Sequence, residues 1–254
     1  MAAKEADLPA AVMWDMDGTL VDTEPYWIDA EYDLVAAHGG QWNDDLAHSV
    51  VGNPLLVTAE FMIANSPITL TPHEIVDHLL AAVVERVREH VPWRPGALEL
   101  LDDLQRHQVP CALVTMSWTS LANAVLDNLA PETFAVVICG NDVEHGKPHP
   151  EPYLAAAAAL DVAPADCIAI EDSGTGVRSA VAAGMPTIAV PHTVAVPQIT
   201  GAKQIDGLVG LDTRRLGELA RSVAVSARPA AGQRTNLIRP SSEPNLILPR
   251  ASAP

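Results

Sequence analysis

The chain has few cysteines, and no two of them lie at the sequence spacing of a cysteine metal-binding motif. Among its 254 residues only three occur, at Cys111, Cys139 and Cys167, each within an apolar run. Three cysteines cannot all pair with one another, and no CxxC motif is present. This argues against both a disulfide framework and a cysteine zinc site. We interpret them as small buried hydrophobic side chains in a reducing compartment.

Long apolar runs are also absent, and the first residues do not have the pattern of a secretory leader. No uninterrupted apolar stretch reaches the roughly 18 residues that a membrane-spanning helix needs. Met1 to Pro9 lack the basic start and the apolar stretch of a signal peptide. The sequence therefore predicts a cytoplasmic protein with no membrane partner.

Basic side chains are scarce, whereas apolar ones are plentiful. The chain carries 15 Lys and Arg against 32 Asp and Glu, for a formal net charge of -17. A field of that sign repels polyphosphate backbones, which predicts no nucleic-acid partner. An anionic substrate must then be held by local positive charge or by a metal ion. Hydrophobic residues make up 48% of the chain, enough for a buried core.

Short apolar runs recur along the chain, and each ends in polar residues. Helical patterns separate them; Ala97, Leu101 and Leu104, for example, share one helix face. Strands that alternate with helices predict an α/β fold, a Rossmann-like parallel sheet with helices on both faces. In such sheets, ligands bind at the carboxyl ends of the strands, where these polar residues lie. The apolar runs are residues 10–14, 109–114, 135–139, 167–170 and 187–190.

The segment 25–92 has a different pattern, with no convincing strand. Thr71 and Glu74 form a capping box around Pro72. Apolar residues then recur every four positions from Ile75 to Val91, the pattern of a long amphipathic helix. We therefore predict a helical cap at 25–92, inserted into a core made of residues 1–24 and 93–225.

The last segment, 226–254, lacks periodicity and is rich in Pro, Ser and Arg, which predicts a disordered tail. Within it, the apolar motif from Asn236 to Pro240 is echoed from Asn245 to Pro249. This repeat is a candidate docking peptide for a protein partner. Chance repetition in a biased tail is the alternative and the commoner explanation.

Two carboxylates, Asp15 and Asp17, follow the first apolar run with one residue between them. At a strand end they converge on one cavity, and Gly18 lets the backbone turn tightly beside them. One carboxylate can attack phosphorus and form an aspartyl phosphate. The other can give a proton to the leaving oxygen and later take one from water. A lone Asp-x-Asp is more often a solvated turn or a capping pair, so this hypothesis depends on further residues.

Further charged and polar residues follow the other strands. Glu171 and Asp172 supply carboxylate oxygens for Mg²⁺, which is needed because carboxylates and a phosphate dianion repel one another. Lys147 offers a compact positive charge, and Thr115 offers a hydroxyl beside the next amides. Each of these residues alone has an ordinary structural explanation. Their joint placement at strand ends predicts one catalytic cleft.

Taken together, these residues resemble the motifs of a known family. The segment from Asp15 to Glu24 resembles the first motif of haloacid dehalogenase-type phosphatases. Thr115, the segment from Gly146 to Pro150 and the segment from Glu171 to Gly176 are similar to the second, third and fourth motifs, in that order. The resemblance covers about residues 10 to 195. It implies a Rossmann-like core and a helical cap that closes over the site.

The resemblance also implies roles for single carboxylates. Asp15 is expected to be the nucleophile, and Asp17 the general acid and base. Mg²⁺ is expected to bind Asp15, the main-chain carbonyl of Asp17 and Asp172. Glu171 is expected to contribute directly or through a water molecule.

Three further residues are implied to bind the transferring phosphoryl group. They are the Thr115 hydroxyl, the Met116 amide and the Lys147 ammonium group. The implied substrate is a small phosphorylated metabolite, with sugar phosphates as one class.

Within the family, the chain is similar to β-phosphoglucomutase and to small sugar phosphatases. Mutases of that kind carry an Arg and a Ser in a cap loop after a Gly, whereas residues 52–58 contain no Arg. We therefore expect a phosphatase, with a phosphosugar mutase as the alternative. A non-catalytic partner-binding protein is a third hypothesis. It fits poorly, because a non-catalytic copy is expected to lose Asp15, Asp17, Lys147 or Asp172, and all four are present.

Overall fold

The structure, a computed structural model, describes residues 8–226, with side chains to residue 223. Six strands form one sheet, and every neighbouring pair is parallel. The strands are Ala11–Trp14 (β1), Cys111–Val114 (β2), Val136–Ile138 (β3), Cys167–Glu171 (β4), Thr187–Ala189 (β5) and Ala202–Gln204 (β6). Their order is β3-β2-β1-β4-β5-β6. The predicted Rossmann-like α/β fold is confirmed.

Nine α-helices lie among the described residues. Four follow β1: Glu24–Ala37 (α1), Asp44–Val50 (α2), Leu55–Asn65 (α3) and Pro72–Glu89 (α4). The other five are Ala97–Arg106 (α5), Thr119–Leu126 (α6), Glu151–Ala159 (α7), Gly174–Ala182 (α8) and Thr213–Ser226 (α9). None of these helices is long and apolar enough to cross a membrane.

The central strand β1 divides its side chains between two cores. Val12 and Trp14 point into one apolar cluster, and Ala11 and Met13 point into another. This alternation follows from the two-residue period of a strand. The second cluster contains many alanines, from strands, α7 and α8. Both faces of the sheet are therefore buried at β1, which explains why the run at 10–14 is apolar throughout.

The helices of segment 24–89 pack together and against the rest of the chain. Helix α4 contacts α1, α3 and α6. Its start is the predicted capping box: the Thr71 hydroxyl accepts from the Glu74 amide, and the Glu74 carboxylate accepts from the Thr71 amide. The two connections to the sheet run side by side, because the Asp22 amide donates to Pro92 O at 2.8 Å. The two ends of this helical segment therefore lie next to each other.

Some elements differ from the sequence predictions. Strand β6 and helices α2 and α3 were not predicted, and the start of the segment called a tail, Ser226, is the last residue of α9. The repeat at Asn236 and Asn245 lies outside the described residues. The three cysteines are buried and form no disulfide. Burial raises the pKa of the Cys111 thiol to about 12.

Candidate active site

Strand register places three site residues at one level of the sheet. Trp14 of β1 pairs with Leu113 of β2 and with Ile170 of β4. The next residues, Asp15, Val114 and Glu171, therefore stand side by side where these strands end. The strand order also reverses direction here, since β2 and β3 lie on one side of β1 and β4 to β6 on the other. Parallel sheets bind ligands at such a point.

The Lys147 ammonium group joins these three neighbours. Its Nζ donates to Asp15 Oδ1 at 2.6 Å, to Glu171 Oε1 at 2.6 Å and to Val114 O at 2.8 Å. Burial opposes its charged form, but the charges of Asp15 and Glu171 outweigh burial and raise the pKa of Lys147 above its ordinary value. An ammonium group has three N–H donors, so all three are used.

Both carboxylate oxygens of Glu171 accept further hydrogen bonds, which fix the position of this side chain. It is fully buried, and its Oε1 also accepts from the Tyr153 hydroxyl at 2.7 Å. Its Oε2 accepts from the Ser173 hydroxyl at 3.2 Å. Burial, followed by the charge of Glu171, raises the pKa of Tyr153 well above its ordinary value. Tyr153 therefore remains a neutral donor that holds Glu171 against Lys147.

Asp17 lies among hydroxyl groups. Its Oδ1 accepts from the buried Thr23 hydroxyl. Its Oδ2 accepts from Ser117 at 2.7 Å and from Thr115 at 3.3 Å. Thr115 in turn accepts from the Ser117 amide at 2.9 Å. Neutral donors on both oxygens orient this carboxylate without a cation.

Asp15 and Asp172 form the acidic part of the site. Carboxylate oxygens of Asp15, Glu171 and Asp172 lie within 4.8 Å of one another. Burial, followed by the charge of Glu171, raises the pKa of Asp15 to about 7. Asp15 Oδ2 is buried and accepts no hydrogen bond from any described residue. Gly18 has φ +85°, and a Cβ at this position would overlap the Asp172 carboxylate, so a glycine is needed there.

Backbone amides complete one wall of the site. Within residues 8–226, the N–H groups of Asp17 and Met116 donate no hydrogen bond. The Met116 thioether accepts from the Lys147 amide at 3.2 Å, which ties the loop after β2 to the loop after β3. Free amides beside buried hydroxyls can bind an anion.

The structure brings together every residue that the sequence pointed to. Sequence reasoning missed four supporting residues, Thr23, Ser117, Tyr153 and Ser173. Thr23 and Ser173 lie inside motifs that resembled the family. Ser117 stands two positions after Thr115, so the strand-end argument could have found it. Tyr153 lies inside α7, and nothing in the local sequence connects it with Glu171.

These motifs and this geometry agree with a known family. The model of the haloacid dehalogenase-like hydrolases matches residues 12–190. The chain belongs to that family. The family resemblance inferred from the motifs is confirmed, and the match covers every site residue named above.

Curated relatives in this family are named as phosphatases. Validoxylamine A 7'-phosphate phosphatase of Streptomyces hygroscopicus subsp. limoneus is 33% identical over 188 residues, covering 71% of this chain and 85% of that protein. Fructose-1-phosphate phosphatase of Escherichia coli K12 is 30% identical, covering 71% of this chain and 96% of that protein. The bifunctional riboflavin kinase/FMN phosphatase of Arabidopsis thaliana is 31% identical, and the matched region spans only 49% of its length.

A solved structure in the same family has the same fold. CbbY from Rhodobacter sphaeroides, in complex with phosphate, superposes with a TM-score of 0.74 at 26% identity. The match covers 82% of this chain and 99% of that one.

Gly176→Ala tests the packing around Glu171. A Cβ at Gly176 would overlap the Glu171 carboxylate, which cannot move away without losing Lys147 and Tyr153. We expect the free energy of unfolding to fall by about 1–3 kcal/mol, and turnover to fall at least about tenfold. Urea unfolding and initial rates measure the two effects.

Gly207→Ala is the matched control, since nothing lies within 4 Å of a Cβ at that position. It should keep both the stability and the turnover of the wild type. If Gly176→Ala behaves like Gly207→Ala, Glu171 is not fixed as described.

Proposed function

We propose that this protein is a magnesium-dependent phosphatase that hydrolyses a small phosphorylated metabolite, with phosphorylated carbohydrates as the substrate class. The observation that carries the proposal is the buried Asp15 carboxylate, held by Lys147 at the end of β1 and followed two residues later by Asp17. The names of the validoxylamine phosphate and fructose 1-phosphate relatives support the substrate class.

The proposed reaction has two steps at phosphorus. An Asp15 carboxylate oxygen attacks the phosphorus atom, and the bond between phosphorus and the substrate oxygen breaks as Asp17 gives that oxygen a proton. Water then attacks the aspartyl phosphate and gives a proton to Asp17. The products are the alcohol, inorganic phosphate and regenerated Asp15. The Met116 amide and the Thr115 hydroxyl are assigned to the phosphoryl oxygens.

Lys147 is assigned first to the nucleophile. Its three N–H donors all have partners, so a phosphoryl oxygen gains this cation only by replacing one of them. Asp15 Oδ1 is the partner that the reaction itself removes, because Asp15 becomes esterified. Lys147 would then turn from orienting the carboxylate to neutralising the phosphoryl group.

The acidic residues fit Mg²⁺. Asp15, Asp172 and the main-chain carbonyl of Asp17 would hold the ion, a set of oxygen ligands that Mg²⁺ prefers. The buried, unpartnered Asp15 Oδ2 supports this fit. Glu171 would contribute indirectly, because Lys147, Tyr153 and Ser173 already use its oxygens. The bound ion would offset the repulsion between the carboxylates and the phosphate.

We propose that residues 25–92 act as a cap on a core formed by residues 1–24 and 93–225. The adjoining connections at Asp22 and Pro92 would serve as its hinge. Cap residues facing the site would then select the substrate. We further propose a cytoplasmic location, where phosphorylated metabolites occur.

The mutase alternative needs a cation for a second phosphate, and the cap offers little. Residues 25–92 contain no lysine and two arginines, Arg86 and Arg88. Arg88 is exposed near the end of α4, whereas Arg86 donates to Tyr26 O at 2.9 Å and pairs with Asp33 Oδ2 at 3.1 Å, on the side of α1. It also lies 3.5 Å from Asp29 Oδ2. Residues 52–58 contain no Lys or Arg. Water is therefore the preferred acceptor.

A metabolite screen tests this proposal. The protein is incubated with phosphorylated sugars and sugar alcohols in Mg²⁺, and phosphate release is measured before chelation, after chelation and after Mg²⁺ is restored. We expect release from one or a few compounds, lost on chelation and regained with Mg²⁺. Activity that survives thorough chelation would refute the metal assignment.

The same assay separates phosphatase from mutase. With β-glucose 1-phosphate and a bisphosphate primer, free phosphate and glucose 6-phosphate are measured together. We expect phosphate to form without efficient isomerisation. Glucose 6-phosphate forming much faster than phosphate would establish the mutase.

A further inference from the structure

A second cluster of metal-ligating side chains lies on the loop that carries Lys147. His145 and His149 flank Lys147 at two residues on each side, and Glu151 begins α7. One atom each of His145, His149 and Glu151 lie within 4.8 Å of one another. Their burial is the reverse of the active site: 57% of the His145 side chain and 51% of the His149 side chain are exposed, against 4% for Lys147.

The distances fit a small tetrahedral ion. His145 Nδ1 lies 3.0 Å and His149 Nδ1 lies 3.8 Å from the same Glu151 oxygen, Oε2. Ligands about 2.0–2.1 Å from Zn²⁺ in tetrahedral geometry are about 3.4 Å apart. The two observed separations bracket this value, and exposed side chains can adjust by a few tenths of an ångström.

Backbone amides orient the Glu151 carboxylate, as hydrogen-bond partners usually orient the side chains that bind a metal ion. Its Oε1 accepts from the Glu144 amide at 2.8 Å, and its Oε2 accepts from the His145 amide at 3.0 Å. These bonds fix the carboxylate, as outer partners do at metal sites. They account for Glu151 as a loop stabiliser. The imidazoles also pair with Glu151: His145 Nδ1 lies within hydrogen-bond distance of Oε2, and His149 Nδ1 accepts from the Glu151 amide at 3.3 Å. The two rings therefore converge on this carboxylate, with centroids 4.7 Å apart, and a bound ion would replace these two hydrogen bonds.

We propose that His145, His149 and Glu151 bind a transition-metal ion of the Zn²⁺ type, with water completing its coordination. Two imidazoles and one carboxylate suit Zn²⁺, whereas Mg²⁺ prefers oxygen ligands. This site is distinct from the acidic group of Asp15, Glu171 and Asp172. The Lys147 side chain between the two histidines is buried and pairs with Asp15 and Glu171, whereas the histidine side chains are exposed. A bound ion would fix both sides of the Lys147 loop.

Zinc titration of the full-length protein in excess Mg²⁺ tests this site. Isothermal titration calorimetry is run on the wild type, His145→Ala, His149→Ala and two controls. His73→Ala removes an exposed histidine elsewhere, and Asp172→Asn alters the acidic group. We expect one Zn²⁺ per wild-type chain, affinity at least about tenfold weaker in each loop variant, and unchanged binding in both controls. Glu151→Gln is avoided, because Glu151 also holds the loop amides.

Two results would overturn the proposal. One is Zn²⁺ binding of wild-type affinity in both His145→Ala and His149→Ala. The other is loss of Zn²⁺ binding in Asp172→Asn alone, which would assign the ion to the acidic group. Circular dichroism and melting curves of each variant check that it is folded, so that weaker binding is not ascribed to unfolding.

Discussion

Asp15→Asn is expected to lose at least about 10⁴-fold in turnover, the scale on which removal of a nucleophile acts. An amide cannot form the aspartyl phosphate, and the oxygens of Asp17 are held by Thr23, Thr115 and Ser117. The fold should persist, because an asparagine Oδ1 can still accept from Lys147. Removing one charge from the crowded group of Asp15, Glu171 and Asp172 should leave the melting temperature equal or higher. Initial rates and thermal melts measure both.

Asp142→Asn is the matched control for this variant. It makes the same chemical change in the loop after β3, two strands away from β1, where Asp142 Oδ2 accepts from the Cys139 amide at 2.8 Å and an asparagine oxygen can replace it. A parallel Asp15→Ala variant excludes residual activity from deamidated asparagine. If Asp15→Ala keeps a tenth of wild-type turnover, Asp15 is not the nucleophile.

The sequence was sufficient for five of the six strands and for the position of the site because both follow from apolar runs and their ends. A run that is buried on both faces must stop where polar residues begin, and parallel strands all stop at the same edge. Asp15, Thr115 and Glu171 each follow such a run directly. Their proximity then requires only that the strands be neighbours, and the structure places β1 between β2 and β4.

Other parts of the fold depend on contacts between distant residues. Strand β6 has an exposed lysine and glutamine, and it lies at the edge of the sheet, so no apolar run marks it. Helix α3 begins at Leu55 immediately after Pro54. Tyr153 meets Glu171 across 18 positions of sequence, through the packing of α7 on the sheet. No local pattern carries that information.

The contacts of Lys147 also change how the charges of the site are understood. The sequence predicts that this ammonium group serves both the phosphate and the nucleophile, because the global charge of the chain opposes an anion. In the structure, the Lys147 ammonium group forms salt bridges with two carboxylates, and its single positive charge cannot neutralise both. The remaining negative charge, centred on Asp15 and Asp172, is the physical reason that a divalent cation is proposed there.

Asp17→Asn is expected to lower turnover on an alkyl phosphate by about 10²–10⁴-fold, the usual contribution of general acid–base catalysis. Asparagine cannot protonate the leaving oxygen or take a proton from water. The hydroxyls of Thr23, Thr115 and Ser117 can each donate or accept, so the substituted side chain keeps its position. Ser117→Ala is the comparison variant: it removes one donor to Asp17 Oδ2 but leaves Thr115, and should lose less than about tenfold.

An aryl ester separates the two proton transfers that are assigned to Asp17. In p-nitrophenyl phosphate the leaving phenolate needs no proton, so Asp15 can still be phosphorylated in Asp17→Asn, while attack by water on the aspartyl phosphate still lacks its base. Rapid mixing should therefore give a burst of nitrophenolate, up to one equivalent per chain, followed by slow turnover. With the alkyl phosphate no burst should form, because the first step now fails as well. Asp17→Asn turning over both esters within threefold of the wild type would remove Asp17 from the mechanism. Equal losses on both esters without a burst would show that it acts only by shaping the site.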